Sequence, residues 1–248
     1  MAPDPALSGQ PAAGRMLAER LTDELRALGS PERALSERAY LKSSYVHLGS
    51  SVPGVRSVAK AHVRSSRSTH DDVVALVDEL WDTDVYERRL LGVELIIATP
   101  KLWGVDDLPW IERLVRNCHT WALVDGLATT AVGRIAAADP AALDVLETWV
   151  GSDDMWVRRT SVLGLRDLCK AGREWDRFER AADVLLAERE FFIRKALGWV
   201  SRETGRRHPE LVSRWVRANL HRMNGVTIRE AVKYLPDGPD LLAAWKHR

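Results

Sequence analysis

Trp121-Ala-Leu-Val-Asp125-Gly126-Leu127-Ala128, running on without a break to Ala138, decides how the rest of the chain is read. Its apolar residues recur at three- and four-residue intervals, so the stretch predicts a buried helix opened by His119-Thr120. Trp121 and Asp125 are four residues apart and share one face, one turn from each other. An aromatic face beside a carboxylate suits a cationic centre, because the ring quadrupole and the charge both attract it. The alternative is structural: Trp121 belongs to the core and Asp125 pairs with a nearby arginine.

On either side the same periodicity repeats. Leu17, Leu21, Leu25 and Leu28 mark a helix over Arg15 to Leu28, ended by Gly29. Ser30 caps the next, with Pro31 in its first turn, and this helix carries Tyr40-Leu41-Lys42. Further helices start at Pro53, after the Thr69 cap and at Asp84, and Pro100 to Pro109 reads as the main loop. Beyond it, helices are expected at Trp110–Asn117, Trp121–Ala138, Pro140–Val150, Asp154–Cys169, Trp175–Ala187, Phe191–Thr204, Pro209–His221, Thr227–Tyr234 and Pro239–His247. No segment alternates as a strand does. The fold class is therefore all-α: about thirteen or fourteen short helices, paired into units of roughly 35–45 residues, the length of two-helix solenoid repeats. Such pairs stack into a superhelical solenoid whose concave face binds, and the fold alone implies binding rather than catalysis. Residues 1–14, rich in Pro, Ala and Gly, read as a disordered leader, and 15–248 as a single domain.

Composition narrows the function. Ten tryptophans against four tyrosines and three phenylalanines exceed what a helical core needs, which places some of them along a surface cleft. Net charge is only +1, yet basic residues are concentrated. Arg56, Lys60, Arg64 and Arg67 have no acid between them, and Arg202 to Lys233 holds eight basic residues against three glutamates. A basic face on a near-neutral protein is the mark of a polyanion site, unless these are ordinary solvated helix faces. Cys118 and Cys169 read as buried thiols outside any disulfide framework. The seven histidines lack metal-ligand spacing, so no metal site and no cofactor are expected. Neither a signal peptide nor an 18-residue apolar run is present, which points to a cytoplasmic protein without a membrane partner.

Three blocks together resemble the AlkD family, DNA alkylation repair glycosylases built of HEAT-like repeats. They are Trp121-Ala-Leu-Val-Asp125, Asp154-Met-Trp156-Val-Arg158-Arg159 and Glu190-Phe191-Phe192-Ile-Arg194-Lys195-Ala-Leu-Gly198-Trp199-Val200. The third is the most specific. Tyr40-Leu41-Lys42 with Leu48-Gly49, Glu79-Leu80-Trp81 and Arg229-Glu230-Ala231-Val232-Lys233 extend the resemblance over about residues 20–235 in collinear order.

The resemblance implies a DNA glycosylase that excises N3- and N7-alkylated purines from duplex DNA, a monomer with no obligate protein partner. It puts the catalytic carboxylate on Asp125, the sugar-contacting indole on Trp121, a second cleft indole on Trp199 and the essential arginine, gripping a phosphate, on Arg159, with Arg158 as the neighbouring register. Tyr40 and Lys42 would line the cleft; Arg194, Lys195, Arg229 and Lys233 would meet phosphates. Trp156 is expected in the core. The family pattern often has a further Trp and Asp beside the catalytic pair, where this chain has Thr120, Ala122 and Leu123; a bulkier adduct would fit where an indole is missing. Housekeeping repair and self-resistance to a natural-product adduct both suit this pattern. The rival readings are a DNA-binding paralogue without base excision and a protein-binding helical scaffold.

Overall fold

A computed structural model describes residues 10–247. Among them there is no strand beyond a single bridge between Val46 and Val85; the rest is helix and turn. The chain divides into two compact units that meet in sequence between Trp103 and Gly104.

The first unit contains α1 (Gln10–Leu28), α2 (Pro31–Leu41), α3 (Val52–Ser65), α4 (His70–Trp81) and α5 (Tyr86–Ala98). α1 begins five residues ahead of its expected start, so the last residues of the expected leader are helical, and residues 1–9 of it lie outside the described residues. The caps act as the sequence predicts. Ser30 accepts from the Arg33 amide, and Thr69 forms a reciprocal capping box with Asp72. α4 and α5 pack on each other, α3 packs on α5 and α1 on α4, around Leu25, Val55, Val77, Leu80, Tyr86 and Leu91.

The second unit opens with a single 3-10 turn, Val105–Asp107, inside the expected loop. It continues through α6 (Leu108–Arg116), α7 (Trp121–Gly126), a π-helical turn (Leu127–Val132), α8 (Gly133–Ala138), α9 (Pro140–Trp149), α10 (Met155–Gly164), α11 (Arg166–Lys170), α12 (Trp175–Leu185), α13 (Phe191–Gly205), α14 (Pro209–Asn219), α15 (Gly225–Ala231) and α16 (Gly238–Lys246). The expected helix Asp154–Cys169 is thus two helices. Its break falls at Leu165, whose N–H bonds the Val162 carbonyl in a tightened turn.

α10 is the hub of this unit, packed against the π turn, α9, α13, α6 and α7. Glycines permit the approach: a Cβ at Gly164 would stand 3.0 Å from Leu146 Cδ1, and one at Gly133 would stand 3.3 Å from the Gly164 carbonyl. Cys118 and Cys169 are both buried thiols, and burial pushes the Cys169 thiol well above its usual value. Four tryptophans are buried and six, at 103, 110, 121, 156, 199 and 245, are half-buried. No helix among the described residues is long and apolar enough to cross a membrane.

Candidate active site

His119 takes a left-handed backbone conformation, φ 49°, and Thr120 an extended one, which turns the chain sharply into α7. Leu123 and Val124 then point into the core and leave Trp121, Ala122 and Asp125 half-buried. The π turn follows Asp125 by two residues, and Thr129 Oγ1 inside it donates to the Asp125 carbonyl at 2.6 Å. Widened turns of this kind re-aim the side chains beside them.

α10 brings Arg159 to Asp125. Its Nε and Nη2 donate to the two carboxylate oxygens at 2.8 and 2.9 Å, a parallel two-bond fork. Nη1 donates to the Phe192 carbonyl at the start of α13. Arg159 is 3% exposed, whereas the Asp125 side chain is 17% exposed, so the pair opens outward on its carboxylate side. The guanidinium lies 5.8 Å from the Phe192 ring centroid, and Phe192 packs on Trp156 at 5.0 Å and edge-on to Phe191.

Arg159, expected to grip a phosphate, is buried, and its guanidinium donates to Asp125 and to the Phe192 carbonyl. Trp156, expected in the core, is half-buried and part of an aromatic wall beside the ion pair, with Phe191 at 54% exposed as its rim. The phenylalanines were quoted only as block matches. Phe191 and Phe192 open α13, and no spacing rule along the chain links that helix to α10. Of the two neighbouring arginines, Arg159 meets Asp125, whereas Arg158 grips Glu188 through two bonds, 2.6 and 3.1 Å, and the Ser152 and Asp153 carbonyls.

Trp199 lies seven residues beyond Phe192 on α13, two turns along the same face. It is half-buried, and the Arg166 guanidinium sits 5.3 Å over its ring, a contact that the sequence reading missed. Of the expected phosphate contacts, Arg194 Nε donates to the Glu188 carbonyl, and Lys195 pairs with Glu230, which Arg202 also holds. Arg229 and Lys233 are exposed, with Lys233 Nζ 5.5 Å over Tyr234. The basic run is less basic than its count: Arg202, Arg217 and Arg222 are each paired with an acid, and Arg206 covers Tyr234 at 4.0 Å. Tyr40 is exposed at the end of α2, and Lys42 caps that helix in a left-handed conformation; both belong to the first unit. Of Thr120, Ala122 and Leu123, the first and third are buried, so only Ala122 has surface beside the pair. Among the described residues, one group of three side chains with metal-ligating atoms, Glu37, His47 and Glu87, lies in the first unit, and none includes Asp125.

Paired helices, with an outward-opening carboxylate seated on a buried arginine, define a helical-repeat protein. The chain belongs to the DNA alkylation repair enzyme family, whose model matches residues 21–235. It resembles the solved structure of a predicted DNA alkylation repair enzyme from Enterococcus faecalis, with a TM-score of 0.77 at 20% identity over 84% of this chain and 97% of that one. AlkD2 from Streptococcus mutans superposes with a TM-score of 0.62 at 17% identity, over 90% of this chain and 99% of that one. The smu.31 protein of Streptococcus mutans UA159 gives 0.60 at 18% identity, over the same shares. At these identities the likeness is one of fold. No curated protein matches the chain.

Proposed function

We propose that this family member is a DNA glycosylase that hydrolyses the N-glycosidic bond of N3- or N7-alkylated purines in duplex DNA. The observation that carries the reading is Asp125, partly buried but open to the surface, gripped along one edge by buried Arg159 and one helical turn from the Trp121 indole. Alkylation at N3 or N7 makes the purine cationic, so no acid is needed to protonate it on departure. As the C1′–N bond breaks, its electron pair neutralises the base, and positive charge moves to the sugar, as in glycoside hydrolysis. A carboxylate fixed beside that centre stabilises the charge without reorganising. It also accepts a hydrogen bond from the incoming water and takes that proton as the C1′–O bond forms.

Arg159 gives Asp125 a fixed orientation while leaving the second lone pairs of its oxygens toward the open side. Trp121 packs on the deoxyribose and excludes water. Trp199, under Arg166, serves the flanking sugar or base two turns away, and Arg229 and Lys233 meet phosphates. Tyr40 and Lys42 complete the contact with the duplex. Small Ala122 leaves room for an adduct larger than a methyl group. The enzyme acts as a monomer, without cofactor, in the cytoplasm.

The test is release of free base from duplex DNA carrying N7-methylguanine or N3-methyladenine, with wild type and Asp125→Asn in parallel. Wild type releases base; the variant loses about a hundredfold or more in rate and keeps its DNA affinity. Undiminished release by Asp125→Asn removes Asp125 from this role. Binding without release of any methylated or bulkier base establishes a DNA-binding paralogue instead.

A further inference from the structure

The first unit contains a buried polar cluster that the repair chemistry does not use. Glu37 on α2, His47 in the loop that follows and Glu87 in the first turn of α5 each turn a ligating atom to one point, and these atoms lie within 4.8 Å of one another. His47 has a side chain only 1% exposed, and neither ring nitrogen has a hydrogen-bond partner. Glu37 Oε2 is also buried without a partner, 3.7 Å from His47 Nδ1. A buried imidazole with both nitrogens unsatisfied is rare, because each unmade bond costs the desolvation of its atom.

The cluster is otherwise well held. The Leu48 and Gly49 amides donate to the two Glu87 oxygens at 2.9 and 2.6 Å, which orients that carboxylate and leaves lone pairs on it. The His47 ring stacks on Tyr86 with centroids 4.6 Å apart. Charge is unbalanced. Two carboxylates share the cluster, and Arg33, with a half-exposed side chain, reaches Glu37 at 3.8 Å. Burial and the Glu87 charge push the Glu37 carboxyl up, and burial pushes the His47 imidazole down. A water molecule would satisfy the orphaned atoms but not the charge. One divalent cation would satisfy both.

We propose that Glu37, His47 and Glu87 bind a zinc-class divalent cation that ties α2, the loop after it and α5 together. Two carboxylates and an imidazole favour a borderline ion over calcium or magnesium, and three protein ligands leave a fourth position for water. Tetrahedral ligation at about 2.1 Å sets ligands roughly 3.4 Å apart, so closure needs side-chain shifts of about an ångström. The Leu48 and Gly49 amides act as the outer support that holds Glu87 in place. Local sequence gave no warning of the site, because its ligands are ten and forty residues apart.

The experiment strips tag-free full-length protein with a chelator and titrates it with zinc chloride and, separately, manganese chloride. Wild type is expected to retain one zinc per chain after gel filtration and to gain about 5 °C or more in Tm at saturating zinc. His47→Phe, which keeps a ring on Tyr86, and Glu37→Gln should each weaken zinc binding about a hundredfold, while His247→Ala does not. If His47→Phe fails to fold, Glu37→Gln with an unchanged circular dichroism spectrum decides. Wild type that retains no ion, or variants that retain it as well as wild type, overturn the site. None of these readouts depends on base release.

Discussion

Asp125 and Arg159 form an ion pair that is buried on its arginine side and open on its carboxylate side. The structural reading of the Trp121–Asp125 stretch, in which Asp125 pairs with an arginine, describes this contact, and the carboxylate still reaches the surface. Removing Arg159 would leave a partly buried carboxylate without its partner. Arg159→Ala is expected to lower stability by about 3 kcal/mol in urea unfolding, because breaking a buried pair costs more than the pair contributes net. Arg159→Lys keeps the charge but loses the two-bond fork. It should fold at a Tm within a few degrees of wild type and release base more slowly, with unchanged DNA affinity. A loss of affinity equal to the loss of rate would return Arg159 to phosphate contact. Trp121 and Asp125 were legible because the i, i+4 rule needs only local sequence. Arg158 and Arg159 were not separable that way: adjacent residues face about 100° apart on a helix, and only the packing of α10 between α7 and α13 decides which turns inward.

At the scale of elements, α13 and α15 pack against each other at close range. A Cβ at Gly198 would stand 2.6 Å from Glu230 Cβ and 3.1 Å from the Thr227 carbonyl. Gly198→Ala must therefore separate the two helices, and should cost about 1–3 kcal/mol in chemical denaturation. The same contact is fastened by Glu230, held by Lys195 and Arg202. Burial pushes the Glu230 carboxyl up, but the Lys195 hydrogen bond and the Arg202 charge outweigh it and hold the group below its usual 4.5. A depressed folded value means the unfolded chain takes up the proton first. The stabilisation is thus complete above about pH 4.5 and is lost as pH falls through the folded value. Glu230→Gln should flatten the acid limb of a Tm-against-pH curve below that point and leave its slope above pH 6 unchanged; an unaltered acid limb would place the network outside the stability balance. The helices themselves were readable from caps and periodicity, with ends shifted by up to five residues. The split at Leu165 was not, because a tightened turn keeps the helical period of its flanks.

For the molecule as a whole, the charge distribution yields the clearest test. Phosphate contacts release counterions, so the affinity for duplex DNA should fall linearly with salt on logarithmic axes. Lys233→Ala and Arg229→Ala should each reduce that slope by about one, uniformly across sequences. Lys42→Ala should do the same if the first unit grips the duplex, and an unchanged slope would confine phosphate contact to the second. Paired arginines such as Arg217 should leave it unaltered, because their charge is already neutralised within the protein. Counting basic residues along the chain could not make this distinction. By itself the sequence determined an all-helical, repeat-built protein and the turn of helix that carries Trp121 and Asp125, since these rest on local periodicity and capping chemistry, while its resemblance to the alkylation repair family rested on matching blocks of residues. Only the tertiary structure decided which arginine holds that carboxylate, which basic side chains remain exposed, and that Glu37, His47 and Glu87 meet. Those are contacts across tens of residues, set by how helices pack rather than by any spacing along the chain.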